Sequence, residues 1–280
     1  MITGVIDTGG GMRGIYAAGV LDGCMDRKIH FDIAIGISAG CANLASYMAG
    51  QKKRNYLFYT EYALRKEYMS FRNVIRKGSF IDMDYVYGTL SNSGGENPLN
   101  YRALIENPAA FIVVATDAKT GEAVYFNKND IPMDDYAVFK ASSSIPFVCK
   151  PYPVQNTLYY DGALGDPVPV EKAFSMGCDK VVLILTKPKN VPREPGKDVK
   201  LAAAIQRKYP LAAEKLRLRA QHYNEGVALA KEYEKQGRLL IVAPEDLCGM
   251  DTLSRDVAPM NRMYQRGIKD SQLIQDFLSQ

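Results

Sequence analysis

The chain has 280 residues, 47% hydrophobic and 24% charged, with a formal net charge of +4. That length can bury a substantial core in one main domain, and the apolar share is ordinary for an α/β protein. The small charge is spread along the chain and gives no reason to expect nucleic acid as a partner, five cysteines without paired spacing argue for reduced thiols rather than a disulfide framework, and no apolar run is long enough to span a bilayer.

The first expected element is a strand, Thr3–Asp7, followed by Gly9-Gly10-Gly11-Met12-Arg13-Gly14 and a helix running to about Arg27. The chain enters this strand at once, without a charged leader and apolar core, so a cytoplasmic setting is expected. Successive N–H groups in a glycine loop between strand and helix form a concavity for an anion, either the oxyanion of acyl transfer or a phosphate. The phosphate reading is the weaker. Gly9, Gly11 and Gly14 fit G-x-G-x-x-G, yet the second strand ends in Gly36-Ile37-Ser38 where a ribose-binding acid is required, and its only acid, Asp32, stands at its beginning. Ile15 and Tyr16 occupy the positions where a P-loop needs lysine and a hydroxyl.

The second strand, Ile33–Ile35, leads into Gly36-Ile37-Ser38-Ala39-Gly40 and a small-residue helix over roughly Ala39–Ala49. This is the pattern of a nucleophile elbow, in which bulk at 36, 39 or 40 would collide across the turn. The helix start points its positive dipole end at Ser38. A helical stretch is next expected over Tyr47–Tyr68. Around it, between Lys52 and Lys77, basic and aromatic residues interleave: Lys53, Arg54, Tyr56, Phe58, Tyr59, Tyr62, Arg65, Lys66, Tyr68, Phe71, Arg72 and Arg76. Such a stretch fits peripheral contact with anionic lipid, while its helical spacing, with Glu61 and Glu67, fits packing on a core.

Further strands are expected at Phe111–Thr116, Ala123–Phe126, Leu158–Tyr160, Lys180–Thr186 and Arg238–Ala243, with helices at Pro169–Met176 and near Met260–Phe277. The alternation predicts a mostly parallel central sheet sandwiched by helices, an α/β fold with a helical C-terminal extension. The Pro/Gly-rich run Lys187–Lys197 is the best internal boundary, dividing 1–186 from 187–280; a strand at Arg238–Ala243 that joined the main sheet would make the second part no independent domain.

A serine nucleophile needs a base, and the chain offers two histidines. His30 belongs to the turn before the second strand, at the far end of the sheet from Ser38, and His222 to a charged helical stretch, Glu214–Arg238. The better base is Asp161, which ends a strand in Tyr159-Tyr160-Asp161-Gly162-Ala163, although Asp-Gly is also a common turn.

Taken together, these residues resemble the patatin-like phospholipases, serine acyl hydrolases built on a Ser-Asp dyad. The family's G-G-G-x-[RK]-G is met by Gly9, Gly10, Gly11, Arg13 and Gly14, its G-x-S-x-G by Gly36, Ser38 and Gly40, and its D-G-[AG] by Asp161, Gly162 and Ala163. An Ala-Ser-x-x-x-Pro stretch between serine and aspartate is met by Ala141, Ser142 and Pro146. The resemblance covers roughly residues 1–185. It implies Ser38 as nucleophile, Asp161 as base, the amides of Gly10, Gly11 and Met12 as oxyanion donors, Arg13 as a residue that fixes the loop, a lipid or other ester as substrate, and no metal or other cofactor. The readings left open are a non-catalytic lipid- or phosphate-binding module and a Ser-His hydrolase using His222.

Overall fold

The computed structural model describes all 280 residues. Its first third contains β1 (Thr3–Asp7), α1 (Ile15–Asp26), β2 (Ile33–Ile37), α2 (Ala39–Met48), α3 (Arg54–Thr60) and α4 (Phe71–Lys77). The middle adds α5 (Tyr101–Glu106), β3 (Ala110–Asp117), β4 (Ala123–Asn127), α6 (Ala137–Ser142), β5 (Tyr152–Val154), β6 (Thr157–Asp161), α7 (Val170–Ser175) and β7 (Lys180–Ile184). The last third holds α8 (Asp198–Ile205), α9 (Pro210–Lys235), β8 (Leu239–Val242) and α10 (Val257–Leu278).

Near-continuous apolar strands such as Thr3–Asp7 and Ile33–Ile37, buried at every residue, have no solvent-facing side and require cover on both faces. They lie in one eight-stranded sheet of order β5-β6-β3-β2-β1-β7-β8, with β4 also paired to β3. The run β3-β2-β1-β7-β8 is parallel; β4, β5 and β6 pair antiparallel. Alternate side chains feed two cores: Val5, Ala34 and Val113 pack with α1, α2, α6 and α10, whereas Ile6, Ile35 and Val114 pack with α7 and α9. The sheet sandwiched by helices is therefore the α/β fold expected. Strand β8 is parallel to β7, so the last 94-residue segment reaches the main sheet.

Two details differ from the sequence reading, and a third divides the basic-aromatic stretch between its two alternatives. The stretch Tyr47–Tyr68 is not one helix: α2 ends at Met48, Gly50 and Lys53 turn with φ of 67° and 62°, and α3 follows as a separate element with a short 3-10 turn, Tyr62–Leu64, beyond it. In the basic-aromatic stretch, Phe58, Tyr59 and Tyr62 are buried core residues, while Phe71 and Ile75 are exposed. The glycine loop does not enter α1 directly but passes through a 3-10 turn, Gly11–Gly14. No helix is long and apolar enough to cross a membrane.

Helix α10 runs along α1 with backbones in close contact, because glycines face each other. A Cβ on Gly267 would stand 2.2 Å from the Tyr16 carbonyl oxygen, and one on Gly19 2.2 Å from that of Tyr264. Tyr16 and Tyr264 then donate hydroxyl bonds across the pair, to Asp270 at 2.7 Å and to Asp22 at 2.5 Å. Gly267→Val is expected to lower unfolding free energy by about 1–3 kcal/mol through overpacking, read as a lower urea midpoint at unchanged slope. An unchanged midpoint would mean that α10 does not hold this position in solution.

Candidate active site

Two strands of opposite sense end at neighbouring positions of β3. Strand β2 pairs parallel with β3 up to Ile37 opposite Val114, and β6 pairs antiparallel, beginning with Asp161 opposite Ala115. Since β4 occupies the other edge of β3 over the same residues, β2 and β6 share one edge and meet end to end. The residue after Ile37 is Ser38. The hydroxyl of Ser38 thereby stands beside the Asp161 carboxylate, where it favours the charged form. Both are deeply buried, Ser38 at 6% and Asp161 at 2% exposure.

The turn that carries Ser38 is strained, with φ 55° and ψ −130° at a non-glycine residue. Its neighbours have no room for side chains: a Cβ on Gly36 would lie 2.5 Å from the Cys41 Cα, and one on Gly40 2.2 Å from the Asp7 carbonyl oxygen. The strain is held from behind by Ser142, whose Oγ accepts the Ser38 N–H at 2.9 Å and donates to the Val114 carbonyl at 2.6 Å. The Ser38 carbonyl in turn accepts the Cys41 N–H at 3.1 Å.

The glycine loop packs on the same turn. Gly9, Gly10 and Gly11 all have positive φ, at 65°, 131° and 58°, and a Cβ on Gly9 would lie 2.3 Å from the Ile37 carbonyl oxygen. Of the amides expected as oxyanion donors, Met12 must be corrected. Its N–H is donated to the Thr252 carbonyl at 3.0 Å, and the Gly9 N–H is likewise taken, by Asp7 Oδ1 at 2.9 Å. Gly10 precedes the 3-10 turn and Gly11 begins it, so neither N–H has a partner within the turn, and none is made outside it. Thr186 anchors the loop by donating to the Gly9 carbonyl at 2.5 Å. Asp7 anchors it too, accepting from Asn43 at 2.9 Å, while Asn43 also donates to the Gly14 carbonyl. Burial pushes the Asp7 carboxyl up to about 6 against those two bonds. Arg13 lies buried behind Gly10 beside Thr186 with its Nε unpartnered, filling space under the loop.

The Asp161 carboxyl titrates above the ordinary carboxylate range. Burial drives it up, opposed by the Ala163 N–H at 2.9 Å on Oδ1, by the Ser38 hydroxyl, and by the fields of Arg219 and Arg193. Neither histidine joins this site: His30 is exposed beyond the N-terminal end of β2, and His222 lies on α9 near Asp166.

Ser38, Gly11, Met12 and Ala39 open onto a cavity in which 13 of 20 lining residues are hydrophobic, so it suits an apolar chain. Phe58, Tyr59, Met69, Ile81 and Val86 supply its wall, and Thr252 and Leu253 close it from the C-terminal part. Sequence reasoning did not find Thr252, Asp7, Asn43 or Thr186. Only Asp7 carried a local signal, an acid at the end of a strand two residues before the loop it caps.

A family model described as patatin-like phospholipase matches residues 8–174, and one described as a domain of unknown function (DUF6363) matches 209–276. An uncharacterized protein, YjjU, of Escherichia coli K12 is 30% identical over 185 residues, 64% of this chain and 50% of its own length. An uncharacterized NTE family protein of Mycobacterium tuberculosis H37Rv is 32% identical over 82 residues, 29% of this chain and 22% of its own. The chain thus spans half or less of these relatives. The crystal structure of VipD from Legionella pneumophila shares the fold, with a TM-score of 0.50 at 13% identity over 98% of this chain and 67% of that one.

Ser142→Ala removes both bonds of the bridge and leaves the Ser38 N–H buried without a partner. A loss of about 1–3 kcal/mol in urea unfolding is expected. A change below about 0.5 kcal/mol, the range of surface substitutions, would show that the bridge carries no weight.

Proposed function

Because the chain belongs to the patatin-like phospholipase family of lipid acyl hydrolases, we propose that it cleaves carboxylic esters of lipids through Ser38 and Asp161, with Gly10 and Gly11 as oxyanion donors. The observation that carries this reading is the meeting of the β2 and β6 ends, with the serine hydroxyl beside a buried carboxylate.

Ser38 Oγ attacks the ester carbonyl carbon while its proton passes to Asp161, and the Gly10 and Gly11 N–H groups take the charge that develops on the carbonyl oxygen. The tetrahedral intermediate collapses, breaking the ester C–O bond, and the departing alcohol receives the proton from Asp161. Water then attacks the acyl-Ser38 carbonyl, giving a proton to Asp161 that returns to Ser38 Oγ as the carboxylic acid leaves. An ordinary carboxylate, at a pKa of about 4, is a weak match for an alcohol. The upward shift at Asp161 narrows that gap, and each oxyanion donor is worth about 3 kcal/mol.

A fluorophosphonate probe followed by peptide mass spectrometry tests the dyad. Labelling is expected at Ser38, absent in Ser38→Ala, strongly slowed in Asp161→Asn and little changed in His222→Ala. Labelling of Asp161→Asn at the wild-type rate would remove Asp161 as base; slow labelling of His222→Ala would favour the Ser-His alternative, and a folded wild type that neither labels nor turns over ester would favour a binding module.

The same reading includes peripheral contact with an anionic lipid surface. Its support is a rim of exposed apolar side chains, Phe71 at 80%, Ile75 at 88% and Phe147 at 74% exposure, beside Arg72 and Arg76. Phe71 touches Phe80, whose N–H bonds the carbonyl of Val148, next to Phe147; Met69, Ile81 and Ile145 carry this edge into the Ser38 cavity. Apolar tips flanked by cations suit a headgroup layer. Phe71→Ser with Ile75→Ser is expected to weaken co-sedimentation with phosphatidylglycerol vesicles about tenfold or more. Equal sedimentation would assign lipid contact to another face.

A further inference from the structure

The cavity that holds Ser38 also holds a buried guanidinium with no counter-ion. Arg54, the first residue of α3, is 7% exposed and lines the cavity with Asn55, Ser91 and Ser143. It donates to Ser46 Oγ at 3.0 Å, Ser91 Oγ at 2.9 Å and the Asn97 carbonyl at 3.0 Å, and its guanidinium carbon lies 4.7 Å from the Phe58 ring centroid. All these partners are neutral. The ionisable groups that act on its charge are Tyr136, Tyr87 and Tyr62, and no carboxylate forms an ion pair with it. Two of a guanidinium's five N–H groups stay uncommitted here, and Nε, one of them, is buried without a partner.

A clamp between α2 and the segment 91–97 needs donors but not a charge. Burying an uncompensated cation is costly, and burial does lower the Arg54 pKa, to about 10, which still leaves it charged at neutral pH. What satisfies such a group is an anion brought by the ligand, received by the one Nη1 N–H that no protein group takes. Its distance from the nucleophile follows from α2: Ser46, which touches Arg54, stands eight positions after Ser38, or about 12 Å along the helix. The wall between is mainly apolar.

We propose that Arg54 is a specificity-determining residue of the Ser38 cavity, binding a carboxylate at the far end of the substrate's acyl chain. The proposal rests on the reading of Ser38 as acyl acceptor. A slender apolar chain with a single anionic end fits a buried cation beyond an apolar wall, so the substrate class is the monoester of a long dicarboxylic acid.

The test compares kcat/KM for the p-nitrophenyl monoester of sebacic acid with that for p-nitrophenyl decanoate, equal in length and differing in the end group. Wild type is expected to favour the acid-ended ester by about tenfold or more, as one charge-assisted bond provides. Arg54→Lys should keep part of that preference and Arg54→Gln should lose it. Equal rates in wild type, a preference for decanoate, or a preference that survives in a folded Arg54→Gln protein would overturn the proposal. Binding is read separately in the Ser38→Ala background, where ethyl hydrogen sebacate should raise Tm more than ethyl decanoate, and the difference should vanish with Arg54→Gln. If neither ester is turned over, the catalytic reading fails while the melting comparison still decides for or against Arg54.

Discussion

The site depends on a register. Ser38 and Asp161 meet because β2 and β6, running in opposite senses, end one position apart on the same edge of β3. A slip of one residue in β6 would turn Asp161 to the other face of the sheet. The hairpin β5–β6 aligns those two strands with each other through a two-residue loop, Gln155-Asn156, with both φ values positive, at 46° and 69°. That is the turn geometry whose twist matches paired strands and sets their alignment. The Asp161 backbone is then pinned on both sides, its N–H by the Ser144 carbonyl at 2.9 Å and its carbonyl by the Thr116 hydroxyl at 2.8 Å. Ser144 follows Ser142 by two residues, so one short segment at the C-terminal end of α6 holds both the serine turn and the aspartate strand.

A second constraint is the absence of side chains where three backbone segments cross. The loop at Gly9, the elbow at Gly36 and Gly40 and the turn at Gly162 each lack the space for a Cβ, with would-be contacts of 2.2–2.5 Å to backbone atoms of Ile37, Cys41, Asp7 and Val114. Contacts that short against backbone admit no relaxation by a rotamer change. The C-terminal part enters the same packing: Thr252 sits over Gly11 closely enough that a Cβ there would lie 2.4 Å from its carbonyl, and it occupies the Met12 N–H. Residues far beyond the glycine loop in sequence therefore set which of its amides are free.

This explains what could be read from the chain and what could not. The glycine positions and the serine were legible because each answers to a steric demand within a few residues, and the strands because a buried parallel sheet leaves apolar runs. The partition of Tyr47–Tyr68 into separate pieces was not, since it turns on positive φ at Lys53, a residue with no propensity for it. Met12 looked equivalent to Gly10 and Gly11 until its partner came from 240 positions away. Arg54 was one cation among many in a basic stretch; only tertiary structure puts it under cover with neutral partners. The exposed tip at Phe71 and Ile75 had the same composition as the buried Phe58 and Tyr62 beside it, and composition alone cannot separate a core face from a rim.

Burial runs through the chemistry as well as the packing. In the proposed dyad, a serine hydroxyl with only a carboxylate to take its proton faces a large mismatch in basicity, and neither histidine stands beside the pair to bridge it. Withdrawing Asp161 from water raises its affinity for a proton, which in the proposed dyad improves it as a base, but it also makes its charged form costly. The opposing groups keep that cost bounded: the Ala163 N–H, the Ser38 hydroxyl, and Arg219 and Arg193 at longer range. Burial prevails, and the carboxyl ends above its ordinary range but held in place. Asp7 obeys the same balance with a different outcome, since its oxygens are taken by Gly9 and Asn43 and it supports the glycine loop. Two buried aspartates near one serine thus differ in what their oxygens touch: one stands beside the serine hydroxyl, the other meets only amide donors.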